Sequence, residues 1–115
     1  MGKARKNLGV LRPGLPDSVD KAIDATGNRV RVLILESLLR EGPATRAELS
    51  RRLEQSTSLL QAHLRTLEEL RVVYTSPPRS DRESNRLRRS YHVDMEYLGA
   101  LVSALGEFLQ PPSNS

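Results

Sequence analysis

The sequence predicts a mainly α fold with one β-hairpin, and three observations predict it. Apolar residues recur every three or four positions through most of the stretch from Val19 to Leu67, which is the period of a helix packed on one side. Two helix-start signals, Thr45-Arg46-Ala47-Glu48 and Ser56, follow closely on one another. Beyond Leu70 the pattern then changes to β-rich residues on either side of a polar, arginine-rich stretch.

Taken in order, the opening stretch contains Gly9, Pro13, Gly14 and Pro16 and cannot sustain a helix or a central strand. Residues 1–16 are expected to be a flexible basic arm. Asp17 is the expected cap of a first helix presenting Val19, Ala22 and Ile23 and stopping at Gly27. Asn28 caps the next, which runs about from Arg29 to Arg40. Its stripe of Val30, Leu33, Ile34 and Leu38, widened by Val32, Leu35 and Leu39, is broad enough to be covered on two sides before Gly42-Pro43 ends it.

Thr45 and Glu48 have the spacing of a capping box, so a third helix begins there with Ala47, Leu49 and Leu53 inward. Ser56 starts a fourth, with Leu60, Leu64 and Leu67. Two helices joined by so short a turn form a helix-turn-helix. Val72-Val73-Tyr74-Thr75 is strand-like and ends at Pro77-Pro78; a polar stretch from Arg79 to Asn85 precedes a second strand ending Ser90-Tyr91-His92-Val93. The pair is a wing, and the fold is a winged helix-turn-helix over residues 17–93. Asp94 caps a last helix, residues 94–110, carrying Leu98, Leu101, Val102, Leu105, Phe108 and Leu109, and residues 111–115 are expected to be a disordered tail.

Composition narrows the function. A chain of 115 residues makes one domain, with no room for a second, catalytic one. No cysteine is present, which removes disulfides, thiolate metal sites and cysteine nucleophiles, and the only histidines are His63 and His92. The expectation is a protein that is not an enzyme, with no cofactor and no metal. No long apolar run or signal-peptide core is visible, so a cytoplasmic location without membrane contact is expected. The net charge of +4 is unevenly spread. Lys3, Arg5, Lys6 and Arg12 precede Asp17 with no acid among them; 8 bases meet 9 acids from Asp17 to Leu70; 6 bases meet 2 acids from Arg71 to Val93; and 3 acids stand alone thereafter.

The order helix, helix, helix-turn-helix, basic hairpin, apolar helix resembles the winged-helix repressors of the ArsR type. Gly27-Asn28-Arg29-Val30-Arg31-Val32-Leu33 is similar to that family's approach to its second helix. The stretch from Gln55 to Val73 is similar, without gaps, to its recognition helix and first wing strand. The resemblance extends over about Asp17 to Leu109. Glu54 stands where the family usually has a turn glycine, Gln55 where it has an apolar residue, and Arg71 where it has a glycine before the strand. Its metal-sensing cysteine motif is absent, since the corresponding stretch reads Ala47-Glu48-Leu49-Ser50-Arg51-Arg52. What the resemblance implies is a repressor of transcription that does not sense metals through thiolates.

At 3.6 residues per turn Thr57, Ser58, Gln61, Ala62 and Arg65 share one face of the fourth helix, opposite Leu60, His63, Leu64 and Leu67. Thr57, Ser58, Gln61 and Ala62 are the expected base readers: small residues admit close approach, Gln61 matches an adenine edge, and Ala62 or Leu59 can meet a thymine methyl. Arg46, Arg51, Arg52, Ser56 and Arg65 are expected on the DNA backbone, because guanidinium binds phosphate as a fork. In the wing Arg79, Arg82, Arg86, Arg88 and Arg89 can follow phosphates or enter a minor groove, and Lys3, Arg5 and Lys6 of the arm can add to this. His63 is expected in the packing. His92, Asp94 and Glu96 would form a metal cluster only if strand end and helix start converged. Tyr74 and Tyr91 are expected to pack in the hairpin.

A lone last helix would leave its apolar side in water, so Val19, Ile23, Leu98, Leu101, Val102, Leu105, Phe108 and Leu109 are the expected dimer surface, aided by small residues such as Gly99 and Ala100. Closure of the chain's own core by that helix is the alternative. The reading is a homodimer that binds double-stranded DNA at an inverted repeat and regulates transcription, and the residues leave a small-molecule effector open. Its rivals are an architectural or recombination accessory factor of a mobile element and a winged-helix module for protein contacts.

Overall fold

The computed structural model of the chain describes residues 14–78 and 89–111. The expected arm residues Lys3, Arg5 and Lys6, the wing residues Arg79, Arg82, Arg86 and Arg88, and nearly all of the expected tail lie outside these. The described elements are α1 (Asp17–Thr26), α2 (Arg29–Glu41), β1 (Ala44–Thr45), α3 (Arg46–Leu53), α4 (Thr57–Glu69), β2 (Val73–Ser76), β3 (Ser90–Val93) and α5 (Met95–Leu109). The chain is a winged helix-turn-helix, with five helices and a three-stranded antiparallel sheet in the order β1-β3-β2 among the described residues.

Four of the five expected side-chain caps form, that of Thr45 as a capping box. Asn28 Oδ1 accepts from the backbone N–H groups of Val30 and Arg31, Ser56 Oγ from Leu59, and Asp94 Oδ1 from Tyr97. The first helix differs. Pro16 occupies the cap position, and Asp17 lies inside the first turn, where it pairs with Lys21 at 3.2 Å. A proline with ψ 145 sets the chain direction without a side-chain acceptor, so the acid serves as a charge at the positive helix end instead. The Lys21 ammonium also donates to the Tyr97 hydroxyl of α5, at 3.4 Å. At the other end of α1 Gly27 is required sterically: a Cβ there would stand 2.6 Å from the Ile23 carbonyl oxygen. Gly42 closes α2 at φ 95, a conformation that favours glycine.

The core gathers Ile34, Leu49, Leu60, Leu64, Leu67, Val72 and Val73, all fully buried. α4 packs on α2, α3 and β2, so its apolar side is closed from several directions, whereas α5 lies mainly against α1. The expected two-sided cover of α2 is not found. Ile34, Leu35 and Leu38 are buried, but Val32, Leu33 and Leu39 on the other side remain 43 to 45% exposed, because no described element packs there.

The sheet pairs Val73 with Val93, Tyr74 with His92, Thr75 with Tyr91 and Ser76 with Ser90. Successive side chains alternate between faces. Tyr91 is therefore buried while Tyr74 stays exposed and stacks on His92, ring centroids 5.1 Å apart. Both tyrosines thus pack within the hairpin, on opposite faces of the sheet. Val72, expected in the strand, instead closes α4, its N–H donating to the Leu67 carbonyl. The short strand β1 was not foreseen. It adds Ala44 and Thr45 to β3 opposite Tyr91 and Ser90. Among the described residues no helix is long and apolar enough to cross a membrane.

Candidate nucleic-acid interface

The interface is built on α3, α4 and the turn between them. Thr45 fixes the start of α3 by a reciprocal pair of bonds: Glu48 N–H donates to Thr45 Oγ1 at 3.1 Å, and Thr45 N–H donates to Glu48 Oε1 at 2.8 Å. After Leu53 the backbone turns through Glu54 at φ 55 and ψ 45, in the left-handed region. A second non-glycine residue, Arg71 at φ 68, holds the same conformation after α4. Both positions follow the backbone that a glycine would take most easily, so the turn keeps its geometry at a cost of about 1 to 2 kcal/mol per residue. Ser50 secures it, its carbonyl accepting from Gln55 N–H at 3.3 Å and its hydroxyl donating to the Gln55 carbonyl at 2.5 Å.

From this turn α4 projects outward. Leu60, Leu64 and Leu67 are buried, while Thr57, Ser58, Gln61, Ala62 and Arg65 are all exposed, as the helical spacing predicts. The face is not flat. A concavity of about 600 Å³ lies between the start of α3, the outer face of α4 and the start of β3, lined by Arg46, Thr57, Gln61, Arg65, Arg89 and neighbours that include Glu68 and Glu69. Three arginines, one on α3, one on α4 and one just before β3, thus border the same groove as two of the predicted base readers. Glu68 and Glu69 also line it, and their carboxylates repel a phosphate chain that would run over them. Thr45 and Tyr91 line the groove as well. Sequence reasoning missed them because their participation depends on β1 bringing the start of α3 to the root of the hairpin.

The remaining predicted residues divide. Ser58 and Ala62 are exposed beside the groove, and Arg51 is exposed on α3. Ser56 is also exposed, its hydroxyl oxygen engaged as the cap of α4. Arg52 is a correction. Its guanidinium is held within the chain, donating to the Gly42 carbonyl at 3.0 Å and to Ser37 Oγ at 3.4 Å, with Glu41 at 3.2 Å. This fork ties α3 to the end of α2 and is not presented to a phosphate.

His63 lies on the inner flank of α4, half-buried. Arg31 of α2 donates from Nε to His63 Nδ1 at 3.2 Å and from Nη1 to the Asp24 carbonyl at 2.6 Å. Burial, reinforced by the Arg31 cation, holds the imidazole below its ordinary 6.5.

The expected dimer surface also needs correction. Val19, Leu98 and Leu101 are buried under the chain's own helices and are not available to a second copy. Leu105 is partly buried against the core, and Ile23, Val102, Phe108 and Leu109 remain exposed, Leu109 at 70%.

Residues 28–75 match the family model described as bacterial regulatory protein, arsR family. The match begins at the cap of α2 and ends in β2, so it takes in the whole helix-turn-helix. No curated protein matches the chain.

Proposed function

From the premise that residues 28–75 are an ArsR-type helix-turn-helix, the module of a DNA-binding regulator of transcription, we propose that this protein is a homodimeric repressor occupying an inverted-repeat operator. α4 enters the major groove, with Thr57, Ser58, Gln61 and Ala62 toward the base edges. Arg46, Arg65 and Arg89 border the same concavity and neutralise phosphates there, with Arg51 and the hydroxyl of Ser56 at the flank. The observation that carries this reading is the outer face of α4, which is exposed, sparsely charged and set among those arginines. The wing arginines Arg79, Arg82, Arg86 and Arg88 and the arm residues Lys3, Arg5 and Lys6 extend the positive surface in this reading.

Ile23, Val102, Leu105, Phe108 and Leu109 form the dimer surface, with the small exposed residues of α5 allowing close approach. A two-fold pair would set its recognition helices about 34 Å apart, which defines the operator spacing. Repression follows from occupying such a site within a promoter.

Salt tests the reading most directly. Log affinity for a duplex should fall steeply with log salt, and Arg65→Ala should reduce the slope by about one phosphate contact. In the same assay Gln61→Ala should cost about 1 to 3 kcal/mol at one base pair only. A protein that binds no duplex even at low salt would be a module for protein contacts instead.

A further inference from the structure

The contact between α2 and α4 contains a polar group that packing alone does not need. Arg31 sits in the first turn of α2 with its guanidinium divided between two other helices. One branch is fixed on the Asp24 carbonyl near the end of α1; the other donates to a ring nitrogen at the middle of α4. Arginine has donors only, so the bond requires a lone pair on His63 Nδ1 and places the ring hydrogen on Nε2. The ring directly follows Gln61-Ala62, whose side chains are on the exposed face. Its hold on α2 therefore bears on the angle at which those side chains are offered.

We propose that Arg31 is a positioning residue for the recognition helix, acting through the neutral His63 imidazole, and that a proton taken up by His63 releases α4 and weakens base discrimination. The inference rests on the reading of α4 as the DNA-reading helix. A protonated ring has no lone pair for the Arg31 N–H and sets a second cation against the guanidinium, which the Asp24 carbonyl keeps in place. Attraction then becomes repulsion at a single contact. Among the described residues Arg31 is the charged group whose field acts on the ring. On α4 itself Arg65 and Glu68 line the groove on the outer side, and α1 contributes a backbone carbonyl that engages the guanidinium. The depressed protonation of the ring agrees with this arrangement.

Two measurements test it. His63 and His92 are the only histidines, so proton NMR follows both through a titration, with His92→Gln assigning them. In Arg31→Met, which keeps an apolar stem without donor or charge, the His63 midpoint should rise. For DNA the probe is a duplex selected from a randomised pool by the wild-type protein at about pH 8, compared with a scrambled duplex so that the general gain of positive charge cancels. The ratio of the two affinities should fall about three- to tenfold by about pH 5.5 in the wild type. It should stay level in His63→Gln, whose amide oxygen can accept from Arg31 but takes up no proton.

An unchanged His63 midpoint in Arg31→Met, or an equal fall in wild type and His63→Gln, overturns the proposal. Should Arg31→Met fail to fold, the comparison of wild type with His63→Gln decides alone. If the midpoint moves as expected but no duplex binds in any variant, the DNA-reading role of α4 has failed, and the proposal falls with it while the Arg31–His63 contact stands.

Discussion

Helices α4 and α5 are both rich in leucine, yet the fold treats them differently. Every inward leucine of α4 is fully buried, since α2, α3 and β2 close around it. α5 is met mainly by α1, so only Leu98 and Leu101 are buried while Val102, Phe108 and Leu109 stay in contact with water. The outward faces differ in the opposite sense: that of α4 is polar and bordered by arginine, and that of α5 is apolar and small. An apolar stripe therefore marks a core only when enough elements converge on it. Where they do not, part of it stays in water, as on α5 and on the outer side of α2.

The largest expected effect breaks this contrast at its two ends. Leu64→Ala should cost about 2 to 5 kcal/mol in denaturant unfolding, because it opens a cavity among residues with no freedom to collapse. Phe108→Ala should change the unfolding of an isolated chain by about 0.5 kcal/mol or less. The pair Val102→Glu and Phe108→Glu should instead yield monomers in sedimentation, and an unchanged mass would move the proposed dimer surface elsewhere. Leu101→Glu would not serve, since it places a carboxylate inside the chain's own core.

A smaller effect sharpens the account of the turn before α4. Glu54→Gly removes a side chain from left-handed backbone and should stabilise the chain by about 1 kcal/mol. No gain in the denaturation midpoint would show that the glutamate side chain offsets its own strain. The smallest effect is a pH dependence. With the His63 imidazole held below 6.5 in the folded chain, the unfolded chain binds more protons in the window just beneath that value. The contribution of this group is complete above 6.5 and is lost as pH falls through the window. Unfolding curves on either side of it should therefore differ more for the wild type than for His63→Gln.

Much of this was legible in the residues. Asn28, Thr45, Ser56 and Asp94 named the starts of four helices because a cap is a local interaction of a few adjacent residues. The two faces of α4 followed from helical spacing alone. Periodicity, however, gives the direction of a side chain and not the partner waiting there. It marked Val32, Leu33 and Leu39 for a second cover that is absent, and Val19, Leu98 and Leu101 for another copy when their own chain buries them. Long-range polar pairs leave no periodic trace at all. Arg52 looked like a phosphate ligand until Gly42, Ser37 and Glu41 were found around it, and Arg31 met His63 across 32 positions of sequence. β1 was invisible because two residues are too few to alternate.

That two-residue strand has a mechanical result. Because Ala44 and Thr45 are laddered to Tyr91 and Ser90, the root of the hairpin is tied to the beginning of α3, and the start of α4 is tied to α3 through the Ser50 clamp. A jaw made this way has a set gauge. In the complex proposed above, duplexes with stiff or unusually narrow grooves would have to yield to it, and the ease with which a stretch of DNA bends would then contribute to selectivity at base pairs no side chain touches.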